Sequence, residues 1–309
     1  LSYTSNFIED PLSNVLATLG ARITRQTRLE AAGDWALSFP DVDRLKFVAQ
    51  LRGPAWMLLP GRPAVQMCAG DVCLIGRTAY VVASHPDMRP VDGQHVYGAT
   101  GGVTGADVVR LGGDDTIGIG GNVTFEGGTA DFLLNLLPDF MIIPRGAPGS
   151  GVVSTLLRLM SDEVTRKAVG HGIMCTRLAD VLLVEAIRAY AAQLPPAETG
   201  WLGAVFDPRL GRVLAALHGD VAQRWTVAGL AEIAGMSRAA FAAEFTRRLG
   251  QPPLSYLRSW RLTLARAALS HGRAPVAEVA FSVGYTSQSA FAQAYRRAYG
   301  TSPRGQVST

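Results

Sequence analysis

The sequence predicts an α+β chain: an amino-terminal β domain, barrel or sandwich, with flanking helices, followed by an all-α domain. Three observations predict it. Short apolar runs separated by turn residues fill residues 12–148. From about residue 151 the apolar spacing switches to the helical period. Near the carboxyl end, a pattern that starts at Val227 starts again at Val276. A length of 309 residues suits two domains, placed at 1–200 and 207–309.

In chain order, residues 12–19 read as a short helix. Strand-like runs follow at 45–51, 56–59, 72–75 and 80–83. Between them stand Arg52-Gly53-Pro54, Pro60-Gly61-Arg62-Pro63, Ala69-Gly70-Asp71 and Gly76-Arg77, which are turn residues for steric reasons. The Gly-rich stretch 98–128 is expected to hold a mobile loop. Residues 152–169 and 177–194 carry apolar side chains at helical spacing, among them Leu156, Leu159, Met160, Leu178 and Leu182. Those two helices either cover the β domain or pair with a second subunit. Pro195-Pro196 stops the second, because proline lacks the N–H and clashes with the preceding turn. Beyond Asp207 everything reads as helix, at about 209–218, 227–234, 238–249, 254–270, 276–283 and 288–299.

No apolar run reaches the roughly 18 to 20 residues that span a bilayer. Residues 1–10 show no basic segment leading into an apolar stretch, so a secretory signal is not expected. Three cysteines, Cys68, Cys73 and Cys175, fit a reducing compartment, and a cytoplasmic protein is the expectation. Charge is split along the chain. Residues 207–309 hold 13 Arg, no Lys and five acidic residues, a net of +8; residues 1–206 carry a net of −4. A basic carboxyl-terminal part on an acidic amino-terminal part points to a polyanion partner for the former.

The repeat supplies the chemistry. Ala231 aligns with Ala280 and Gly235 with Gly284. After one extra residue in the second turn, Phe241 aligns with Phe291, Phe245 with Tyr295, Arg247 with Arg297 and Gly250 with Gly300. Each copy has the parts of a helix-turn-helix: a small residue where two helices cross, a turn glycine, and Ser237 or Ser287 to cap the second helix. Phe241, Phe245 and Leu249 face a core, as do Phe291, Tyr295 and Tyr299. That leaves Arg238, Ala239, Ala242 and Ala243 outward in the first copy, and Gln288, Ser289, Ala292 and Gln293 in the second. Such positions meet base edges when a recognition helix enters the major groove. Gln pairs with adenine and an Ala methyl packs on thymine, while Arg247, Arg248, Arg296 and Arg297 suit phosphates.

These residues resemble the AraC/XylS family of transcription regulators. The second unit follows that family's pattern from Gly284-Tyr285 to Ser302-Pro303. The resemblance implies a long joining helix at 254–270, with Arg258 and Arg261 available to the DNA backbone, and double-stranded promoter or operator DNA as partner, with RNA polymerase as a further one. Two departures stand out. Ala239, Ala242 and Ala243 offer no hydrogen bonds where relatives carry longer polar readers, and Glu244 would repel phosphate if it faced it. The second recognition helix is therefore expected to read more sequence than the first.

Residues 12–200 resemble the cupin-like sensor domain that precedes such DNA-binding domains, through Arg52-Gly53 before Trp56, Ala69-Gly70-Asp71-Val72, and Gly76-Arg77. The implied architecture is a cupin-like β-barrel with helices that form a homodimer, sensing a small-molecule effector. Candidate lining residues are Lys46, Val48, Gln50, Trp56 and Tyr80, with Lys46 placed to meet a carboxylate. The alternative is a cupin-type metal enzyme, or binding module, fused to an architectural DNA-binding domain. Cupin metal sites need a cluster of His and Glu ligands, and this region offers only His85 beside Pro86 and His95, the latter expected on a strand. No catalytic residue, metal ligand or cofactor is assigned.

Overall fold

In the computed structural model, residues 10–41, 44–99, 107–125, 129–166, 168–193, 195, 200–270, 272 and 274–304 are described. The chain separates into two compact units. One comprises Arg22–Thr124 and Pro138–Gln193; the other comprises Leu1–Ala21, Phe125–Leu137 and Leu194–Thr309.

The first unit is built on β1 (Arg22–Ala31), β2 (Ala36–Phe39), β3 (Leu45–Arg52), β4 (Ala55–Leu58), β5 (Val65–Met67), β6 (Val72–Ile75), β7 (Tyr80–Ala83), β8 (Val91–Asp92), β9 (Asp107–Leu111), β10 (Thr116–Thr124) and β11 (Phe140–Ile143). They form two sheets, ordered β11-β6-β3-β10-β1-β9 and β5-β4-β7-β2-β8. The expected β-barrel is thereby corrected. Closure requires the end strands of a sheet to pair with one another, and among the described residues β9 pairs only with β1 and β11 only with β6. Both sheets keep open edges. Residues from both share clusters, as where Met57 of β4 and Tyr80 of β7 meet Cys73 of β6 and Phe140 of β11.

The Gly-rich stretch divides. Part of it, residues 100–106 and 126–128, lies outside the described residues. The described part holds β10, which pairs with β1 on one side and β3 on the other. Three helices also belong to this unit: α2 (Gly93–Ala99), α4 (Ser150–Arg166) and α5 (His171–Gln193). α4 packs against β3, and α5 against β1, β6 and β11. The six-stranded sheet is thus covered by the pair of helices anticipated at 152–169 and 177–194. Leu156 and Leu182 are buried, at 7% and 1% exposed, whereas Leu159 remains 49% exposed.

The second unit is helical: α1 (Pro11–Thr18), α3 (Ala130–Leu134), α6 (Gly200–Phe206), α7 (Leu210–Gly219), α8 (Val227–Ala234), α9 (Arg238–Leu249), α10 (Pro253–Ser270), α11 (Val276–Ser282) and α12 (Gln288–Tyr299). α10 serves both repeats. Tyr256 and Trp260 face the first, where Tyr256 meets Phe245 edge-on at 5.8 Å. Leu262, Ala265 and Leu269 face the second, packing with Val279, Ala280, Phe291 and Tyr295. Tyr256 also anchors a polar core. Its hydroxyl accepts from Trp201 Nε1 at 2.9 Å and lies 2.8 Å from His218 Nε2, while His218 stacks on Trp260 at 4.5 Å. Burial depresses His218 to about 3, so its ring is neutral. Phe132 of α3 stacks at 5.0 Å on Trp260. Among the described residues, no helix is long and apolar enough to cross a membrane.

Candidate nucleic-acid interface and ligand cavity

The two repeats share the chemistry of the turn and of the second helix's cap, while only the first repeat caps its first helix with a side chain. In the first, α8 is capped by Thr226, whose hydroxyl accepts from Gly229 N at 3.1 Å. It ends on Gly235 at φ +64°, and Met236 N donates to Ala231 O at 3.0 Å. In the second, Tyr285 N donates to Ala280 O at 3.0 Å, next to Gly284 at φ +84°. Both turns need a left-handed residue, which glycine adopts without a β-carbon penalty. Ser237 then caps α9 by accepting from Ala240 N at 3.3 Å, and Ser287 caps α12 by accepting from Ala290 N at 3.4 Å. Phe241, Phe245, Phe291 and Tyr295 are fully buried, so the opposite face of each helix is left outward.

The structure places the predicted readers on those outward faces. Arg238, Ala239 and Ala243 are exposed on α9, with Ala242 half-buried; Gln288, Ser289 and Gln293 are exposed on α12. Tyr299, expected in the core, is half-buried, meeting Tyr295 edge-on at 4.8 Å under the Arg266 guanidinium. The phosphate candidates divide. Arg296 and Arg297 are exposed in the last turns of α12. On α9, Glu244 takes both arginines. Its Oε1 accepts from Arg247 Nη2 at 2.7 Å and Arg248 Nε at 2.9 Å, and its Oε2 accepts from Arg247 Nε at 2.9 Å. Hydrogen bonds from Arg247, then Arg248, hold the Glu244 carboxyl down at about 2. Arg248 is turned inward, its side chain 10% exposed and 3.9 Å from Asp207. The i+3 and i+4 spacing of acid and base was the signal for this cluster.

Arg261 is not free for DNA. Its Nε donates to Val221 O and its Nη2 to Gln223 O, both at 2.8 Å, and burial lowers its pKa. The guanidinium ties the loop between α7 and α8 to the joining helix. Gly284 abuts the same spot: a β-carbon there would lie 2.8 Å from the Ala222 carbonyl oxygen and 2.7 Å from Arg261 Nη2. The second turn is therefore braced against the loop that leads into the first.

The β unit contains a cavity of about 400 Å³. Four of the five candidate residues, Lys46, Val48, Gln50 and Tyr80, line it. β3 alternates, with Leu45, Phe47 and Ala49 fully buried and Lys46 and Val48 between them. Trp56 is not among the lining residues. Ala55 and Met57 are the buried residues of β4, so the alternation turns Trp56 to the other face. Lys46 Nζ sits 5.1 Å from the Phe39 ring and 5.0 Å from that of Tyr80, and those rings stack at 4.9 Å. Burial, then Arg44, lowers Lys46 to about 8. Gln50 commits its amide nitrogen to Arg52 O and Gly53 O at 2.8 and 3.1 Å. Sequence reasoning missed Phe39, Arg44 and the β10 glycines Gly118, Gly120 and Gly121, all of which line the cavity. The signal was glycine inside a strand, which leaves space for a close approach.

His95 lies on α2 rather than on a strand, and His85 meets Asp87 at 3.5 Å on the surface. Among the described residues, no group of three or more His, Cys, Asp or Glu side chains could hold a metal ion. Cys73 is buried, with Sγ 3.8 Å from Met67 Sδ, and burial pushes its thiol up; Cys68 is exposed.

A cavity-bearing β unit and a pair of capped, outward-facing recognition helices define a DNA-binding regulator. Comparison with known proteins gives the family. A family model described as Cupin matches residues 10–192, and one described as Helix-turn-helix domain matches 230–305. An AraC-like transcription regulator of Streptomyces lividans is 35% identical over 297 residues, covering 95% of this chain and 96% of its own. Another from Streptomyces antibioticus is also 35% identical, covering 95% and 97%. The HTH-type transcriptional regulator AlkR of Acinetobacter baylyi is 27% identical over 96% of this chain and 98% of its own. The chain belongs to the AraC-like transcription regulators, with an amino-terminal cupin domain: it is a sequence-specific DNA-binding transcription regulator.

Proposed function

We propose that α12 is the main sequence reader and α9 the weaker one, the two helices entering successive major grooves about 10 bp apart on one face of the duplex. The observation that carries this is the exposure of Gln288, Ser289 and Gln293 at the start of a helix capped by Ser287, with Arg296 and Arg297 exposed at its end. Gln288 and Gln293 present amides to adenine edges. Arg296 and Arg297 neutralise phosphates, which position without specifying. On α9, Arg238 and the methyl groups of Ala239, Ala242 and Ala243 make the lesser base contacts, and Arg247 and Arg248, both held by Glu244, give a weaker phosphate anchor than the end of α12.

The regulator answers to a small organic effector held in the β-unit cavity, with Lys46 meeting a carboxylate. Among the described residues, Arg44 and Lys46 line that cavity and no acidic residue does. The working form is a homodimer through α4 and α5, and RNA polymerase is a further partner on the promoter.

The reader assignment is tested on a selected operator and a scrambled duplex at several salt concentrations. Gln288→Ala and Gln293→Ala each cost about 1 to 3 kcal/mol on the operator and relax preference at one or two base pairs. Arg297→Ala weakens both duplexes alike and flattens the dependence of log affinity on log salt by about one. If the glutamine variants lose equally on both duplexes while Arg297→Ala shifts the preferred sequence, the roles are inverted.

A further inference from the structure

We propose that Glu244 is a built-in competitor of DNA phosphate, holding Arg247 in the first helix-turn-helix and so lowering the sequence-independent share of binding. The proposal rests on the reading that α9 lies along the duplex.

Three observations carry it. The pair is bidentate, with Arg247 giving its Nε and an Nη2 hydrogen to the two carboxylate oxygens at 2.9 and 2.7 Å. Arg247 is the outward partner, its side chain 51% exposed, whereas Arg248 is 10% exposed and also faces Asp207. The chain also contains its own comparison: Ala294 stands on α12 where Glu244 stands on α9, and Arg297 where Arg247 stands. An Arg–carboxylate pair is neutral as a unit, so it displaces few counterions from DNA, and the carboxylate itself repels phosphate. The uncompensated Arg296 and Arg297 then supply most of the non-specific attraction at the helix ends, close to the better base readers. Muting the poorer reader's cations favours binding governed by the better one, because non-specific affinity sets the background that an operator must exceed.

The test uses the full-length protein, a selected operator and a scrambled duplex, with fluorescence anisotropy between about 50 and 200 mM salt. Variants are Glu244→Ala, Glu244→Gln, Arg247→Ala, Arg297→Ala and the double Glu244→Ala/Arg247→Ala. Glu244→Gln keeps the side chain's shape and one acceptor oxygen while removing the charge, which guards against a simple folding defect. Both Glu244 variants are expected to bind scrambled DNA more tightly and to steepen the salt dependence by about 0.9, so that their advantage over wild type shrinks roughly threefold across that range. The operator-to-scrambled ratio falls, and the double variant loses the gain. Arg247→Ala alone weakens binding less than Arg297→Ala does. The proposal is overturned if Glu244→Ala and Glu244→Gln leave scrambled-DNA binding unchanged or weaker while Arg247→Ala matches Arg297→Ala. If Arg247→Ala also leaves both duplexes unaffected, α9 is away from phosphate and the docking falls together with the proposal.

Discussion

His218 shows how one buried side chain ties the helical unit to pH. Its ring sits between the Tyr256 hydroxyl and the Trp260 face, and burial holds its pKa near 3 against the usual 6.5. The folded chain therefore takes no proton there at pH 5, whereas the unfolded chain does. Stability from this residue is complete above about pH 6.5 and is lost as pH falls toward 3, with a slope of up to about 1.4 kcal/mol per pH unit. Glu244 works in a lower window, from the ordinary carboxylate value of 4.5 down to about 2, so the interval between pH 5 and 6.5 isolates the histidine. Denaturant unfolding followed by tryptophan fluorescence should show a decline over that interval that flattens in His218→Gln, although that variant starts from lower stability at pH 7. An unchanged slope in the variant assigns the pH dependence elsewhere. From the sequence, His218 was only a polar residue near the end of a helix, since its burial depends on Tyr256 and Trp260 of α10, which are distant in the chain.

At the scale of elements, the two turns look alike in sequence but differ in what surrounds them. Gly235 has φ +64° with open space where a β-carbon would go, while Gly284 has φ +84° and abuts Ala222 and Arg261. Gly235→Ala should cost about 1 to 2 kcal/mol from the left-handed backbone alone. Gly284→Ala adds overpacking worth a further ~1 to 3 kcal/mol and should lower DNA affinity at temperatures where the fold survives. Equal thermal shifts for the two variants would remove the brace described between the second turn and the α7–α8 loop. The helices themselves were legible: α8, α9 and α12 begin and end where cap serines, threonine and glycines stand. The sheet arrangement was not. Lys46, Val48 and Gln50 stand at alternate positions of β3 and line the cavity, but which face of a strand turns inward was not legible, and sheet closure is decided by which edges pair: β9 and β11 are far apart in sequence from their partners β1 and β6. Trp56 failed for a smaller reason: the parity of β4 is set by Ala55 and Met57, whose burial short apolar runs do not reveal.

For the whole molecule, the open question of assembly has a place to be answered. Val152 and Leu159 on α4, and Met174 and Val181 on α5, are each seven residues apart and about half exposed. Helical geometry keeps such positions on one face. A homodimer through these faces predicts that Leu159→Asp and Met174→Asp lower the solution mass in sedimentation while circular dichroism stays native, because both side chains are already exposed. Leu156 and Leu182 make poor probes, since both are buried and charging them disrupts the interior. A wild-type chain that sediments as a monomer at high micromolar concentration rules these faces out.

The segments that build the helical unit are not contiguous. Residues 11–18 and 130–134 contribute α1 and α3 to it, and Phe132 rests on Trp260 and, at 5.8 Å, on Tyr256. A swap that joins another sensor to this chain at residue 200 would look natural on the sequence. It would nevertheless strip a ring from the aromatic stack around α10 and two helices from its surroundings. Partner exchange between regulators of this build is a matter of matched pieces rather than interchangeable halves: the donor must bring its own equivalents of α1 and α3, shaped to the acceptor's helices.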